Sequence, residues 1–215
     1  NEGNNPVVIL GLYTTFPKSL TFPFSGYEDM TSETAQLIGT NIYNFSNQLP
    51  AGGVNRKLYS GESSENIPFS IWQNKSESFG DEKAIVNVDL KKEQKDDSTF
   101  IFTCKSTFTS SPEEKPFLTL FLTEDDITHP QKNTSGTDSA YVHSHVVRYE
   151  ITPYNGSPME FDGSDAAQKG SEFEVVWQVQ IPENIDQNKA SLVALINYNA
   201  DNNKEVIQCR EIHLK

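Results

Sequence analysis

The sequence predicts an α+β protein, in which a partial α/β unit is followed by an antiparallel, immunoglobulin-like β-sandwich. Three features lead to this prediction: a continuous apolar run near the start, two segments with helical spacing, and a change to alternating apolar residues from about residue 82. The chain of 215 residues is long enough for one large or two small domains. We expect residues 1–80 to form the first unit and residues 82–215 to form the sandwich.

The first unit begins with β-branched and aliphatic residues from Val7 to Tyr13. An uninterrupted run of this kind is typical of a strand that is buried on both faces in a parallel sheet, so a fully buried strand is expected here. A helix is predicted over about residues 31–45, because Thr31 or Ser32 can cap its start and apolar side chains follow at helical spacing.

A constrained turn and a second helix complete the first unit. Pro50 precedes two glycines, which predicts a tight turn that leads into a short strand. A helix is predicted over about residues 64–78, with Ile67, Phe69 and Trp72 on its apolar side. An α/β unit of this kind usually has an earlier strand and helix that cover its sheet, so the first unit of this chain looks incomplete.

About seven strands are predicted after residue 82, because apolar residues alternate with polar ones and turn-rich segments separate the runs. Regular strands of this number are typical of two sheets packed face to face. In the second run Phe102 shares one face with other aromatic residues, so this face is predicted to point into the core. The predicted strands are 84–90, 100–108, 117–123, 141–151, 172–181, 190–197 and 205–214.

The charge of the chain argues against two classes of partner. The chain carries 30 acidic and 17 basic side chains, for a net charge of -13 at pH 7. A surface this acidic repels phosphate groups, so neither nucleic acid nor an anionic lipid surface is expected as a partner. No stretch reaches the roughly 18 consecutive apolar residues of a membrane-spanning helix.

Two cysteines, Cys104 and Cys209, lie in different predicted strands. They have two structural interpretations: one disulfide that joins the strands in an oxidising compartment, or two buried free thiols that pack as small apolar side chains. No Cys-x-x-Cys occurs, so a zinc finger or a dithiol redox centre has no ligands or thiols in this chain.

One candidate metal site is centred on His143 and His145, which lie two residues apart on one face of a predicted strand. Two imidazoles can share a metal ion, and Asp125 within the acidic run 124–126, or His129, is close enough in sequence to complete the ligand set. The favoured alternative is a pair of hydrogen-bonded histidines that pack two strands together. His-x-His by itself is a weak metal signal.

No catalytic or cofactor motif is present: the chain has no G-x-S-x-G, no phosphate-binding glycine loop and no H-E-x-x-H. We therefore predict a protein that is not an enzyme and that needs no cofactor. Tyr27, Tyr59, Tyr154 and Tyr198 lie in or near predicted loops, where they could stack on a glycan or a peptide if they met on one rim. Single aromatic side chains that seal loop edges are the commoner arrangement.

Four segments along the chain carry a resemblance. They are Pro50–Arg56 (PAGGVNR), Leu122–Ile127 (LTEDDI) with Gln131, Tyr141–Arg148 (YVHSHVVR) and Glu205–Gln208 (EVIQ). In order and spacing they resemble the outer-membrane-protein family of Bacteroidetes that is named for a protein of twenty-eight kilodaltons. The resemblance covers nearly the whole chain, and four motifs in order are more specific than any one alone.

The resemblance implies a thioredoxin-like domain followed by a β-sandwich. In that arrangement the run from Val7 to Tyr13 is a central strand, and Pro50 takes the place of the thioredoxin-fold cis-proline. The piece that would carry a Cys-x-x-Cys is expected to lie outside this chain. The resemblance also implies an extracytoplasmic address at the outer membrane or cell surface of a bacterium, with a lipid anchor outside this chain.

The resemblance further implies a non-enzymatic binding or accessory protein, adhesin-like or receptor-like, whose partners are other envelope proteins or glycans. The alternative is a thioredoxin-like redox or chaperone protein whose Cys-x-x-Cys half is absent from this chain. The fold alone does not decide between these two functions, because function resides in sites that other members of a fold do not share.

Overall fold

A computed structural model describes residues 7–16, 20, 24–45, 49–79, 83–161 and 166–215. Within these residues the protein is built mainly from antiparallel strands, and its helices are α1 (Glu33–Asn41), a single 3₁₀ turn (Phe69–Ile71) and α2 (Trp72–Ser78). None of these helices has the length and apolar character that a membrane span requires. The strands are β1 (Val86–Gln94), β2 (Thr99–Phe108), β3 (Phe117–Glu124), β4 (Ile127–Thr128), β5 (Gln131–Asn133), β6 (Gly136–Asp138), β7 (Val142–His143), β8 (Val146–Glu150), β9 (Ser157–Pro158), β10 (Glu172–Gln180), β11 (Ala190–Asn197) and β12 (Val206–His213).

Two antiparallel sheets pack face to face, as the alternating sequence pattern predicts. The larger sheet has the strand order β12–β11–β3–β8, with β9 paired to the start of β3, and the smaller sheet has the order β1–β2–β10. Strand β2 is central to the smaller sheet, where Cys104 lies opposite Leu90 of β1 and Phe102 lies opposite Trp177 of β10. The seven long strands of the two sheets lie close to their predicted positions.

The main hydrophobic core lies between the two sheets. Every second residue of β2 points into it, and Phe100, Phe102, Cys104 and Phe108 are each only 1% exposed. The rings of Phe100 and Phe102 stack with their centroids 5.9 Å apart, and Leu192 of β11 belongs to the same core from the opposite sheet. The prediction that the Phe102 face points inward is confirmed.

The opposite face of the larger sheet is covered by a second apolar layer from the first region of the chain. Ile38 and Ile42, within and just after α1, pack there against Phe121, Val193 and Leu195. Strand β11 therefore lies between two apolar layers, and all eight of its residues are buried. Burial on both faces explains why its sequence, ASLVALIN, contains no charged residue.

Helix α1 begins as the sequence predicts and ends earlier. The Ser32 hydroxyl accepts a hydrogen bond from the Ala35 amide at 3.0 Å, which is the expected capping contact. After the helix, Asn44 has a positive φ of 48° and the chain folds back, so that the Phe45 amide donates to the Gly39 carbonyl at 2.9 Å. The left-handed residue ends the helical pattern before residue 45.

The structure corrects the buried strand predicted from Val7 to Tyr13. The segment is extended, but within the described residues it forms a single bridge, which joins Gly11 to Val146 of β8 in parallel. Val7 and Ile9 are 37% and 56% exposed. The segment runs along the covered face of the larger sheet and not within it, so only one side of the segment is packed.

Two further predictions for the first region are corrected. In the described residues no strand follows Pro50, because Asn55 and Arg56 have φ values of 52° and 50°, through which a strand cannot continue. The second helix is shorter than predicted: it begins at Trp72, and Phe69, which was expected on its apolar side, is 71% exposed.

The single strand predicted over residues 141–151 divides into β7 and β8. His145, between the two, has a φ of 56°, which interrupts the extended conformation. Strand β7 turns away to pair with β4, where His143 lies opposite Ile127. The break changes the directions in which the two histidines of this segment point.

Candidate functional site

A groove of about 1950 Å³ lies where the first region meets the last strand of the larger sheet. It is bounded by the extended segment 7–14, the turn 49–57, helix α2 and strand β12. Pockets for small molecules typically have volumes of roughly 300–1,000 Å³. A groove of this size fits a stretch of polypeptide better than a small cofactor.

The walls of the groove are about half apolar and half polar, and they come from both regions of the protein. Leu10, Tyr43 and Trp72 line it from the first region, and Val206 lines it from β12. The indole N–H of Trp72 donates to the Ile67 carbonyl at 2.9 Å. The polar group of this tryptophan is thus used within the protein, and its ring contributes apolar surface to the groove.

Two polar side chains on one face of β12 lie at the floor of the groove, Cys209 and Glu211. Burial raises the pKa of the Cys209 thiol, although a hydrogen bond from the Val8 amide opposes the shift. Oε1 of Glu211 is buried and has no hydrogen-bond partner among the described residues. A buried acceptor without a donor costs about 1–3 kcal/mol, so the free protein carries an unsatisfied hydrogen-bond acceptor at this position.

The turn at one end of the groove depends on its two glycines. A Cβ atom at Gly52 would lie 2.9 Å from the ring of Trp72, and one at Gly53 would lie 2.1 Å from the carbonyl oxygen of Glu65. Neither position has room for a side chain, so the glycines allow the turn to pack directly on its neighbours. The Leu49–Pro50 peptide bond in this turn is cis.

Arg56 extends from the turn into the interior and is only 4% exposed. Its Nη2 donates to the Tyr154 carbonyl at 3.3 Å, and no carboxylate of the described residues forms an ion pair with it. Burial lowers the pKa of Arg56, while the neighbouring Tyr43 and Tyr154 oppose the shift. This side chain connects the turn to the loop that follows β8.

The turn is also bonded to the start of the last strand. Lys57 pairs with Glu205 at 2.8 Å, and the Val206 amide donates to the Asn55 carbonyl at 2.7 Å. Two of the four segments that carry the family resemblance therefore meet at the groove.

The other two segments meet near β8, where Ile127 of β4 pairs with His143 of β7. A histidine cluster beside this contact is formed by Tyr13, His129, Tyr141 and His143. His143 is 1% exposed; its Nε2 donates to the His129 carbonyl at 3.1 Å, and its Nδ1 accepts from the Tyr13 hydroxyl at 2.8 Å. Burial lowers the pKa of His143 and raises the pKa of Tyr13 to about 12. Both imidazole nitrogens are thus engaged within the protein.

Asp125 and His145 come together, whereas His143 lies apart from them. Oδ1 of Asp125 accepts the His145 amide at 2.6 Å and lies 3.3 Å from Nδ1 of the same histidine. The two histidines do not share a strand face, because the chain turns between β7 and β8. In the part of the chain that the structure describes, no three His, Cys, Asp or Glu side chains are arranged to hold a metal ion.

Glu124, from the same acidic run as Asp125, belongs to a buried ion-pair network. Its Oε1 accepts the Asp186 amide at 3.0 Å, and its Oε2 lies 3.5 Å from Nε of Arg148. Burial raises the pKa of Glu124. Arg148, with 5% of its side chain exposed, also pairs with Glu28, so the network joins the first region to β3 and β8.

The two cysteines are free, and they lie on different sides of the larger sheet. Cys104 is part of the core between the sheets, where burial raises its pKa to about 11. Cys209 lies in the groove on the other side. Of the two interpretations of the sequence, the structure agrees with two free thiols.

The four tyrosines predicted near loops do not form one rim. Tyr198 is only 3% exposed. The Tyr154 hydroxyl binds the end of α1, Tyr59 packs beside the end of α2, and Tyr27 packs against the histidine cluster. Because the four tyrosines lie apart, they do not form a common surface on which a glycan or a peptide could stack.

Sequence reasoning did not single out Arg56, Glu211 or Tyr13 as parts of these sites. The burial of Arg56 leaves no periodic signal, because it follows from two consecutive residues with positive φ. Glu211 could have been found, since strand alternation places it on the same face as Cys209.

Comparison with protein families gives one match to the chain. The model of a family described as outer membrane protein Omp28 matches residues 40–215. No curated protein matches the chain.

Comparison with solved structures gives two similar chains. HBP35 of Porphyromonas gingivalis has a TM-score of 0.61 at 18% identity, and the match covers 81% of this chain and 55% of that one. A domain of the outer membrane lipoprotein Omp28 from Porphyromonas gingivalis has a TM-score of 0.38 at 14% identity, with 62% of this chain and 90% of that domain covered. The likeness to HBP35 concerns the fold alone, and the chain spans about half the length of that structure.

Proposed function

The chain belongs to the Omp28 family of outer membrane proteins, and from this premise we propose that it is a non-enzymatic binding protein of the cell envelope. The family places the protein outside the cytoplasm, at the outer membrane, where it is an accessory protein. Our finer proposal is that the groove holds an extended segment of another envelope protein, in an adhesin-like or receptor-like manner.

The groove is the observation that carries this proposal. It combines apolar wall residues, such as Leu10 and Trp72, with polar groups that include the carboxylate of Glu211. A bound segment would bury apolar side chains against Trp72 and Val206, which stabilises a complex by about 25 cal/mol per Å². The same segment would offer a backbone N–H to Glu211, and an extended polypeptide supplies both kinds of contact along one length.

A protein segment fits this site better than a glycan does. A glycan site would need several exposed aromatic rings at one place. The four tyrosines discussed above lie apart in the fold and do not provide such a group. Within the groove, the ring of Trp72 is already packed against Gly52. We therefore favour envelope proteins over glycans as partners.

Photo-crosslinking in native outer membranes tests the proposal. Benzoylphenylalanine at position 9, where Ile9 lines the groove and is 56% exposed, should yield a crosslinked protein that mass spectrometry can identify. The same residue at Lys169, an exposed position that does not line the groove, should yield none. Equal crosslinking at the two positions would contradict a binding site in the groove.

A pair of variants then tests the role of the unpaired carboxylate. Glu211→Leu removes the acceptor at the floor and should lower the crosslinking yield from position 9 several-fold. Glu183→Leu removes a carboxylate at an exposed position that does not line the groove and should leave the yield unchanged. If both variants behave alike, Glu211 does not contact the bound segment.

Finer points of architecture and attachment are also part of the proposal. We propose that the two sheets follow an immunoglobulin-like arrangement and that residues 1–80 correspond to part of a thioredoxin-like domain. We also propose that a lipid anchor outside this chain attaches the protein to the outer membrane. Incorporation of labelled palmitate into the native protein would support the anchor, and its absence would argue against it.

The alternative function, thioredoxin-like redox or chaperone activity, requires a Cys-x-x-Cys outside this chain. The two thiols within the chain are poorly suited to exchange, because burial raises the pKa of Cys104 to about 11 and also raises the pKa of Cys209. The thiolate is the reactive form. Insulin reduction by the native full-length protein would favour this alternative over a protein that only binds.

A further inference from the structure

Strand β10 forms an open edge of the smaller sheet. It pairs with β2 on one side, and no described strand pairs with its other side. Its nine residues, EFEVVWQVQ, pair with β2 without a bulge and contain neither proline nor lysine. Bulges, prolines and lysines are the usual features that keep an exposed edge from pairing with another chain.

The other edge of the same sheet, strand β1, is protected. Strand β1 carries two consecutive lysines, and the ammonium group of Lys92 binds the Leu214 carbonyl at 2.6 Å. The Gln208 side chain binds the Val86 carbonyl at 3.2 Å. The difference between the two edges identifies β10 as the one that is free to pair.

The free hydrogen-bonding groups of β10 belong to its even-numbered residues. The Ile181 amide donates to the Ser98 carbonyl at 2.8 Å, and the register with β2 continues from that pair. The odd-numbered residues therefore direct their N–H and C=O groups to β2. The residues that direct theirs to the open edge are Glu172, Glu174, Val176, Gln178 and Gln180.

A second copy of the strand fits this edge in an antiparallel register centred on Val176. Val176, 56% exposed, then meets its counterpart, Glu174 lies opposite Gln178, and Glu172 lies opposite Gln180. No glutamate faces another glutamate, whereas a centre at Glu174 would place that residue opposite itself. The register forms roughly ten hydrogen bonds, since each edge-facing residue exchanges a pair.

Charge and apolar contacts favour the same register. The Lys95 ammonium group binds the Gln178 side chain at 2.8 Å, so it would lie near Glu174 of the second copy. On the opposite face, Val175 and Trp177 are only half buried in a single copy. Pairing places Val175 beside Trp177 of the second copy and covers both.

We propose that the protein forms a two-fold dimer in which the β10 strands of two copies pair about Val176. The two three-stranded sheets would then join into one continuous sheet. This proposal is independent of the proposed function, because the groove lies on the far side of the larger sheet and stays open in the dimer.

Sedimentation equilibrium of the full chain, with a monomer mass of 24.1 kDa, tests the dimer. Val176→Lys places two like charges opposite each other at the centre and should weaken dimerisation roughly tenfold. Asn87→Lys adds the same charge at an exposed position of β1 and should leave the dimer unchanged. Circular dichroism of both variants reports whether the fold is intact.

Disulfide trapping provides a second test. Val176→Cys, in a Cys209→Ser background, should form a covalent dimer under mild oxidation, because Cα atoms of a hydrogen-bonded pair are about 5.5 Å apart and a disulfide spans that distance. Asn87→Cys in the same background should stay monomeric. A wild-type chain that is monomeric at all concentrations, a dimer that Val176→Lys leaves unchanged, or equal trapping at both positions would overturn the proposal.

Discussion

The two regions of the protein differ in how their apolar residues are buried. From residue 86 onward, long strands enclose a core whose largest side chains, such as Phe102 and Phe121, are fully buried. The first region has two short helices and contains most of the exposed large apolar side chains of the described residues. These are Val7, Ile9, Phe16, Leu20, Tyr27, Leu58 and Phe69.

The difference shows that the first region depends on the larger sheet for its core. Its apolar residues become buried where they meet that sheet, as Ile38 does against Val193. We therefore expect the first region to lose its structure before the two sheets do. The only two tryptophans, Trp72 and Trp177, lie in different regions, so variants with one tryptophan replaced by phenylalanine report each region separately.

The largest effect is expected from Phe102→Ala, which removes a fully buried ring from the core between the sheets. The free energy of unfolding should fall by about 3–5 kcal/mol. Both tryptophan signals should shift to lower urea concentration, because the first region loses the sheet on which it packs. An unchanged unfolding midpoint would mean that the Phe102 face does not support the core.

A smaller and more local effect is expected from Ile38→Ala. The substitution leaves a cavity between α1 and the larger sheet and should cost about 2–4 kcal/mol of the first region's stability. The transition reported by Trp72 should move to lower urea concentration, while that reported by Trp177 stays near its wild-type position. Equal shifts of the two signals would show that the regions unfold as one unit.

Gly53→Ala should affect the first region less strongly. The added methyl group would collide with the Glu65 carbonyl oxygen, so the turn must move away, at a cost of about 1–3 kcal/mol. Only the Trp72 transition should respond. Ser60→Ala, at an exposed position of the same region, serves as the control and should change stability by no more than about 0.5 kcal/mol.

The smallest expected effect is a pH dependence from His143, which is packed among Tyr13, Tyr141 and His129. Burial lowers its pKa from the ordinary value of 6.5, so the unfolded chain binds the proton more readily than the folded chain. The contribution of neutral His143 to the stability of the folded protein is therefore complete above pH 6.5 and is lost as the pH falls below 6.5. In thermal unfolding from about pH 7.5 to 5, His143→Gln should lose less stability than wild type, whereas Ser60→Ala, which changes no titratable group, should match wild type.

The two-sheet region could be predicted from the sequence, because its residues follow a period of two. The face shared by Phe100, Phe102 and Cys104 is buried as the alternation predicts, and β11 reads as one apolar run because it is covered on both sides. Local pattern and tertiary packing agree there, which is why seven strands could be placed.

The first region and the site could be predicted only in part. The Ser32 cap has a local signature and was found. The run from Val7 to Tyr13 has the composition of a buried strand, but tertiary packing places it across a sheet face. Positive φ values at Arg56 and His145 redirect the chain without any glycine to mark the position, so neither the buried arginine nor the division of β7 from β8 was foreseen.

The covering of the larger sheet by the first region constrains the timing of folding during export. A polypeptide that crosses the inner membrane from its N-terminal end delivers residues 33–45 long before residues 190–213. Because Ile38 and Ile42 pack against β11, α1 cannot complete its packing until that later strand has been delivered. During translocation these apolar side chains are exposed, so periplasmic chaperones have most reason to bind the first part of the chain.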